Sequence, residues 1–271
     1  MHADPSGENI GTAGMADATD PTDAKLSELL EAAQEAWIES GFRTGDFDGA
    51  QRVAETAYAA AVDQGSREGE ALASLLLGHI LHYRLIRILM AGGEIDERAV
   101  PIEQEHFRHA LVLYQSLDDP AGEAKALFGL GLVEQVLRRD WDAAMPHYRD
   151  AAALIPYLER AGDLYTRSEI HRHLGFHRLV VAGQPTEAVR ELQISLDLRE
   201  QEGDVRRIPS GLVALAGAER AAGDPARAVD LLNRAVAMAR EAELLAPWAE
   251  HAESELRAAE ADLAAQQQSQ Q

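Results

Sequence analysis

Residues 223–235 read GDPARAVDLLNRA, and versions of this phrase recur along the chain. The phrase starts with Gly-Asp or a related pair, continues with an alanine, and in its longer copies has leucine or tyrosine four positions after that alanine. The other copies are residues 45–50 (GDFDGA), 140–151 (DWDAAMPHYRDA) and 183–192 (GQPTEAVREL). Internal repetition of this kind predicts an array in which each unit packs on its neighbours.

Between these phrases the sequence is rich in Ala, Leu, Glu and Arg, with Gly or Pro at regular intervals, which favours helices separated by short turns. Ala144, Ala188 and Ala228 are 44 and 40 residues apart, which suits one helical hairpin per repeat. A Gly-Asp pair supplies a C-cap and then an N-cap, at residues 162–163 and 203–204 as well as within the phrase. The predicted hairpins are residues 24–64, 67–117, 121–161, 164–202 and 205–244.

Other segments complete the predicted organisation. A linker at residues 91–101 replaces a tight turn in the second hairpin, and a helix at residues 247–264 suits a terminal cap. We expect residues 1–23 to form a flexible leader, residues 24–265 a single solenoid domain and residues 266–271 a disordered tail. The leader has no apolar segment of the kind found in secretory signals.

The first helices carry a second recurring pair, leucine followed by a small residue. These pairs are Leu77-Gly78, Leu130-Gly131, Leu174-Gly175 and Leu215-Ala216. Together with Ala144, Tyr148 and Ala151 they resemble the tetratricopeptide repeat (TPR) family, in a longer variant of about forty residues per repeat. The resemblance implies an all-α, right-handed superhelical solenoid of about five helix-turn-helix repeats with a C-terminal capping helix. It also implies a concave groove, lined by the first helices, that binds a peptide or a protein.

Alignment on the Leu-Gly pairs predicts which side chains face this groove. They are His79, His82, Tyr83, Lys125, Phe128, Gln135, Glu169, Arg172, His173, Phe176 and Arg220. Cationic and aromatic side chains together suit a carboxylate, a phosphate or a planar ligand. The same positions are also ordinary amphipathic positions, with part of the aromatic set in core packing, and both interpretations stay open.

Histidines form a second pattern. His79 and His82 are three residues apart, His173 and His177 are four apart, and Glu169 precedes His173 by four, so each set shares a helix face. One alternative is therefore an enzyme or small-molecule-binding protein that uses these five residues as a catalytic pocket. A metal site formed by the four histidines is a further alternative. The simpler interpretation is that they are ordinary helix residues.

Composition narrows the classes of partner. The formal net charge is -21 with only two lysines, which argues against binding nucleic acid, since phosphate contacts depend on Lys and Arg. There is no cysteine, which excludes disulfides and thiolate metal sites. No apolar run approaches the roughly 20 residues that a membrane span needs, so no membrane association is expected.

The favoured interpretation is a cytoplasmic, non-catalytic scaffold or regulatory module that holds a peptide or protein partner in its concave groove. It needs no cofactor and no metal. Ala-rich helices at the C-terminus, or the linker at residues 91–101, offer a surface for a homodimer as a further alternative.

Overall fold

The structure is an all-α solenoid of successive helix pairs, as the repeats predict. A computed structural model gives the structure of residues 21–269, in which there are twelve α-helices and no β-strand. The helices are α1 (Pro21–Glu39), α2 (Phe47–Gln64), α3 (Arg67–Met90), α4 (Ala99–Ser116), α5 (Pro120–Leu132), α6 (Trp141–Ala153), α7 (Ile155–Arg160), α8 (Leu164–Phe176), α9 (Pro185–Glu202), α10 (Ile208–Ala222), α11 (Pro225–Glu241) and α12 (Ala246–Ser269). Five pairs, from α1–α2 to α10–α11, pack in chain order, and α12 covers the last pair.

The Gly-Asp phrase ends one helix and starts the next. After α10, Gly223 has a φ of 93°, a left-handed conformation that favours glycine. Asp224 then accepts a hydrogen bond on Oδ1 from the backbone N–H of Arg227 at 2.9 Å. Asp46 and Asp140 cap α2 and α6 in the same way. The aspartate of the recurring phrase is therefore a helix N-cap, whereas Gln184, at the same place in the copy at residues 183–192, makes no side-chain cap.

Of the two further cap pairs expected between hairpins, one forms completely, and in the other Gly203 caps α9 with a φ of 77° but Asp204 does not cap the next helix. Asp163 caps α8 by accepting from the N–H of Thr166 at 2.7 Å. Asp204, by contrast, lies before a turn and binds the backbone and the guanidinium of Arg206, so that α10 starts only at Ile208. The strong ion pair with Arg206 takes up the carboxylate that the sequence predicts as an N-cap.

Glycines in the first helices allow the second helix of each pair to approach closely. A Cβ atom on Gly78 would lie 2.7 Å from the ring of Phe107 on α4. A Cβ atom on Gly131 would overlap the ring of Tyr148 on α6. Tyr148 and Phe107 are fully buried, so each aromatic ring fills the space that a missing side chain leaves.

Three first helices end in a π-helical turn, which the sequence did not indicate. These turns are Ser40–Thr44, Val133–Leu137 and His177–Val181. Each closes with a backbone hydrogen bond across five residues, such as the 3.1 Å bond from the N–H of Arg138 to the carbonyl of Val133. Each turn also brings a side chain to the centre of the solenoid, namely Phe42, Gln135 and Leu179.

Several predicted boundaries need correction. The second helix of the third pair is not continuous to residue 161: it ends at Ala153, and the short α7 follows, with Pro156 at its start. The expected disordered tail is helical at residues 266–269, because α12 continues to Ser269. The expected leader lies outside the described residues up to residue 20, and α1 begins at Pro21. Residues 270–271 also lie outside them.

Helix α3 is more apolar than the sequence interpretation allowed. By length and composition it could cross a membrane, with a mean hydropathy of 1.3 in its most apolar window, so the expectation that no run is apolar enough is wrong. However, 56% of that window is buried inside the protein, which is typical of a core helix in a helical array.

The two ends of the solenoid are in contact. The backbone N–H of Leu245 donates to the carbonyl of Phe42 at 2.8 Å, and Nε1 of Trp248 donates to the carbonyl of Gly41 at 3.1 Å. We call this contact the seam; it is formed by Gly41, Phe42, Arg43, Ala242, Leu245 and Trp248. The described chain therefore closes on itself, and its first helices surround a central space.

Candidate functional site

A cavity of about 470 Å³ lies inside the closed solenoid. Most of the residues predicted for the groove line it: His82, Tyr83, Phe128, Gln135, Glu169, Arg172, His173 and Phe176. The fold therefore brings together side chains from α3, α5, α8 and a π-turn that are far apart in sequence. The alignment of the repeats on their Leu-Gly pairs predicted these positions. The volume lies within the range of small-molecule sites in proteins.

Three predicted groove residues do not line this cavity. His79 and Lys125 face a second cavity of about 420 Å³, on the side where Trp37 of α1 enters the solenoid. The Trp37 ring stacks on His79 with 4.7 Å between ring centroids and covers it. Arg220 forms ion pairs with Glu255 and Asp262 of α12 at 2.9 and 2.8 Å. The groove prediction is wrong for Arg220 because the capping helix packs over that position.

The central electrostatic feature of the cavity wall is Glu169 on α8. Its Oε1 accepts hydrogen bonds from Arg199, on α9, and from Nη2 of Arg207, the latter at 2.9 Å. Burial would raise the pKa of this carboxyl, but the guanidinium groups of Arg199, Arg207 and Arg172 outweigh burial and hold the pKa well below its usual range. Glu169 is therefore a fixed negative charge at any pH near neutrality.

Arg207 is one of the largest fully buried side chains. Its guanidinium also contacts Glu202 and Ser168, and it lies 3.9 Å above the centre of the Tyr165 ring. Arg199 donates through Nη1 to the carbonyl of Arg207 at 2.7 Å, while its Nε, buried in the cavity wall, has no partner among the described residues. These contacts fix the two guanidinium groups in place.

Arg172 lies on the same cavity wall with a different environment. Its Nη1 donates to the backbone carbonyl of Ser210 at 2.9 Å, and its Cζ lies 4.8 Å from the centre of the Phe176 ring. No carboxylate among residues 24–269 forms an ion pair with it. Burial, and then the nearby positive charge of Arg199, lower the pKa of Arg172 to about 10, so it remains a cation near neutral pH.

His173 belongs to a neutral hydrogen-bonded group. Its Nδ1 lies 2.6 Å from Oε1 of Gln135, and the same oxygen accepts from the Tyr148 hydroxyl at 2.6 Å. Burial lowers the pKa of His173 to about 3, despite the neighbouring Glu169. Burial likewise lowers the pKa of His79 to about 3. Both rings are uncharged at neutral pH and contribute packing surface and hydrogen bonds rather than positive charge.

His82 lies on the cavity wall and is paired with a buried glutamate. Its Nδ1 lies 2.7 Å from Oε1 of Glu103, a fully buried residue of α4. Its Nε2 is buried and has no hydrogen-bond partner among the described residues. The pair with Glu103 therefore fixes the orientation of the ring, and Nε2 is a buried polar atom in the packing behind the cavity wall.

The metal alternative finds no support in the geometry. Between residues 24 and 269, no group of three or more His, Asp or Glu side chains is arranged to hold a metal ion. His177 lies away from the cavity, with its ring centroid 5.7 Å from that of Trp141. Tight packing separates the four histidines: His79 lies under Trp37, and His173 under Phe128 and Tyr148.

Sequence alignment missed part of the cavity wall. Arg199 lies on α9, the second helix of its pair, whereas the groove prediction covered only the first helix of each pair. Phe42, Trp248 and His251 reach the cavity because the seam brings α12 against the first helix pair. The polar spacing on α9 gives no local signal for the position of Arg199, since the helix packs by tertiary contacts that the repeat phrase does not contain.

Comparisons with known proteins bear on the fold. No protein-family model matches the chain, and no curated protein matches it. Among solved structures, the chain is similar to BtubC (BKLC) from P. vanneervenii, with a TM-score of 0.51 and 17% sequence identity. The similarity covers 82% of this chain and 92% of that chain. At this level of identity the likeness concerns the helical fold alone.

Proposed function

We propose that the protein is a non-catalytic binding module that holds a small, largely apolar ligand in its central cavity. The observation that carries the proposal is the seam: contact between the ends of the solenoid shapes its concave surface into a partly open cavity of about 470 Å³, whereas an extended groove would suit a long peptide. Aromatic and aliphatic side chains make up much of the wall, among them Ile86, Leu132, Phe176 and Val213. Burial of apolar ligand surface against them would supply most of the affinity.

The titration behaviour of the wall supports binding over acid-base catalysis. A general acid or base works best when its pKa lies near the working pH. The pKa of Glu169 is held well below its usual range by arginines, and burial lowers the pKa of His173 to about 3. Both groups keep one protonation state near neutrality and are suited to fixing a ligand. We therefore favour a ligand-binding role for the pocket that the sequence suggested as catalytic.

We also propose that the repeats are of the tetratricopeptide type. Support comes from the contact of Gly78 with Phe107 and of Gly131 with Tyr148, in which a small residue of a first helix accommodates an aromatic ring of the second. In this proposal the concave surface of the repeats remains the binding surface. The difference from an extended groove is that the seam confines it to a cavity.

Gly217 offers a direct test. It lines the cavity on α10, and a Cβ atom there would meet nothing within 4 Å, so a larger side chain would enter the open space. We expect wild-type protein to bind one equivalent of N-phenyl-1-naphthylamine, an uncharged fluorescent aromatic probe. Gly217→Phe should weaken that binding by at least about tenfold, with an unchanged circular dichroism spectrum.

The matched control is Gly217→Ala, which leaves most of the space free and should bind the probe as the wild type does. Absence of probe binding to the wild type would refute the proposal. Equal binding by Gly217→Phe would place the probe elsewhere on the protein and refute it as well.

A further inference from the structure

One guanidinium group on the cavity wall has no ion-pair partner among the described residues. Arg199 and Arg207 are matched by Glu169 and Glu202, since Arg199 pairs with Glu169 and Arg207 pairs with both carboxylates. Arg172 is a further guanidinium beside them and has no carboxylate partner among the described residues. Of the guanidinium groups on the wall, Arg172 is therefore the one without a carboxylate at ion-pair distance among the described residues, inside a protein whose formal net charge is -21.

The other charged groups of the wall already have ion-pair partners. Arg206 is matched by carboxylates of its own, with Glu35, Glu39 and Asp204 at 2.6 to 2.8 Å. Glu255 is matched by Arg220 at 2.9 Å. Arg172 thus remains the unmatched charge on the wall.

An unmatched charge that is partly removed from water is unfavourable until an anion pairs with it. The geometry of Arg172 leaves room for such an anion. Only Nη1 has a hydrogen-bond partner, and Nε and Nη2 offer the two parallel donors that bind a carboxylate in a bidentate manner.

We propose that the ligand is an amphipathic monocarboxylate, with its carboxylate bound to Arg172 and its apolar body against Phe176, Leu132 and Val213. The single unmatched guanidinium matches a single negative charge, and Phe176 already holds the guanidinium in place from one side. A neutral ligand would leave the charge unmatched, and a dianion would exceed it. This inference rests on the proposed function, because it assigns a ligand class to the same cavity.

Octanoate, 1-octanol and octyl phosphate separate the alternatives, since they share one alkyl chain and differ in charge. Each is titrated against protein loaded with N-phenyl-1-naphthylamine. We expect octanoate to displace the probe from the wild type at a concentration at least about tenfold lower than 1-octanol does. Sodium chloride should weaken the binding of octanoate and leave the binding of 1-octanol unchanged. Octyl phosphate should be no tighter than octanoate.

The variant Arg172→Met keeps the length of the side chain and removes its charge. This variant should bind octanoate at least about tenfold more weakly than the wild type does, while its affinity for 1-octanol should change by less than about threefold. Arg234→Met is the matched control, because its guanidinium pairs with Glu200 away from the cavity wall, and it should leave octanoate binding unchanged. If Arg172→Met does not fold, the salt dependence of the wild type still decides between a charged and an uncharged contact.

The outcomes distinguish this inference from the proposed function. Equal displacement by octanoate and 1-octanol, full octanoate affinity in Arg172→Met, or tighter binding of octyl phosphate would each overturn the monocarboxylate while the cavity remains a binding site. Failure of the uncharged probe itself to bind the wild type would remove the proposed function and this inference with it.

Discussion

The indole of Trp248 stacks on the ring of Phe42, with 5.4 Å between ring centroids and 28° between ring planes. Phe42 belongs to the π-turn after α1 and Trp248 to the first turn of α12, so this contact joins the two ends of the described chain. Solenoid repeats contact only their neighbours in the simplest case. The contact between Phe42 and Trp248 makes the array a closed ring, and both rings line the cavity as well.

The seam can be tested with Phe42→Ala. Phe42 is buried, so the loss of its ring should lower the free energy of unfolding by about 3–5 kcal/mol, measured by urea denaturation. Because the ring supports the seam, amide hydrogen exchange should also become faster in α1 and α12 than in the middle helices.

Phe107→Ala is the matched control for Phe42→Ala. Phe107 is equally buried but lies between α3 and α5, so its removal should lower the free energy of unfolding by a similar amount without selectively speeding exchange in α12. An unchanged exchange rate of α12 in Phe42→Ala would mean that the ends of the solenoid are not joined in solution.

Local signals predicted most of the fold. Gly-Asp pairs mark helix ends because a left-handed glycine and a carboxylate cap act within a few residues, as at Gly223 and Asp224. Leu-Gly pairs predict which side chains face the concave side of the solenoid. They do so because the two helices of each hairpin pack in the same way wherever the pair recurs. The same periodicity placed eight groove residues, Glu169 and Arg172 among them, on one cavity wall.

These local signals predicted neither the seam nor the ion pairs of the cavity wall. The hydrogen bond from Trp248 to Gly41 joins residues 207 positions apart, and neither residue belongs to a repeated phrase. His79 was predicted to face the groove, but Trp37 from the first helix pair covers it. Contacts of this kind depend on how many repeats the array has and on how far it turns, which no single repeat encodes.

Glu169→Gln tests the buried ion-pair group. The amide has the shape of the carboxylate but no charge, so Arg199 and Arg207 would lose a shared partner in a buried setting. We expect the free energy of unfolding to fall by about 3–5 kcal/mol at pH 7, measured by chemical denaturation. Glu253→Gln is the control, because Glu253 pairs with Arg240 at the surface at 2.6 Å, and a change within about 1 kcal/mol is expected there. Equal effects of the two substitutions would contradict a buried role for Glu169.

Histidine burial predicts how stability depends on pH. Burial lowers the pKa of His79 to about 3, below the value of about 6.5 expected in the unfolded chain. The unfolded state therefore binds more protons between these two values, and stability is complete above about pH 6.5 and decreases as the pH falls toward about 3. Each such histidine contributes a slope of up to about 1.4 kcal/mol per pH unit.

His79→Phe should remove one histidine contribution from this slope while keeping an aromatic ring against Trp37. The measurement is the free energy of unfolding by urea at several pH values between 4 and 7, on the order of one point per half unit. His251→Gln, at an exposed position, is the control and should retain the slope of the wild type. A slope in His79→Phe equal to that of the wild type would show that His79 is not buried as a neutral ring.

Two glycine-to-alanine substitutions should act in opposite directions. Gly131 and Gly217 both lie inside first helices, where alanine is intrinsically better than glycine by about 1 kcal/mol. At Gly217 the new methyl group meets nothing within 4 Å, so Gly217→Ala should raise the free energy of unfolding by about 0.5–1 kcal/mol. At Gly131 the methyl group would overlap the ring of Tyr148, whose hydroxyl is fixed by Gln135. Gly131→Ala should therefore lower the free energy of unfolding by about 1–3 kcal/mol. Both values come from urea denaturation at neutral pH. Stabilisation by Gly131→Ala would mean that the close approach of α5 and α6 is not a requirement of the fold. Changes of opposite sign in the free energy of unfolding would establish that Gly131 serves helix packing and Gly217 the cavity.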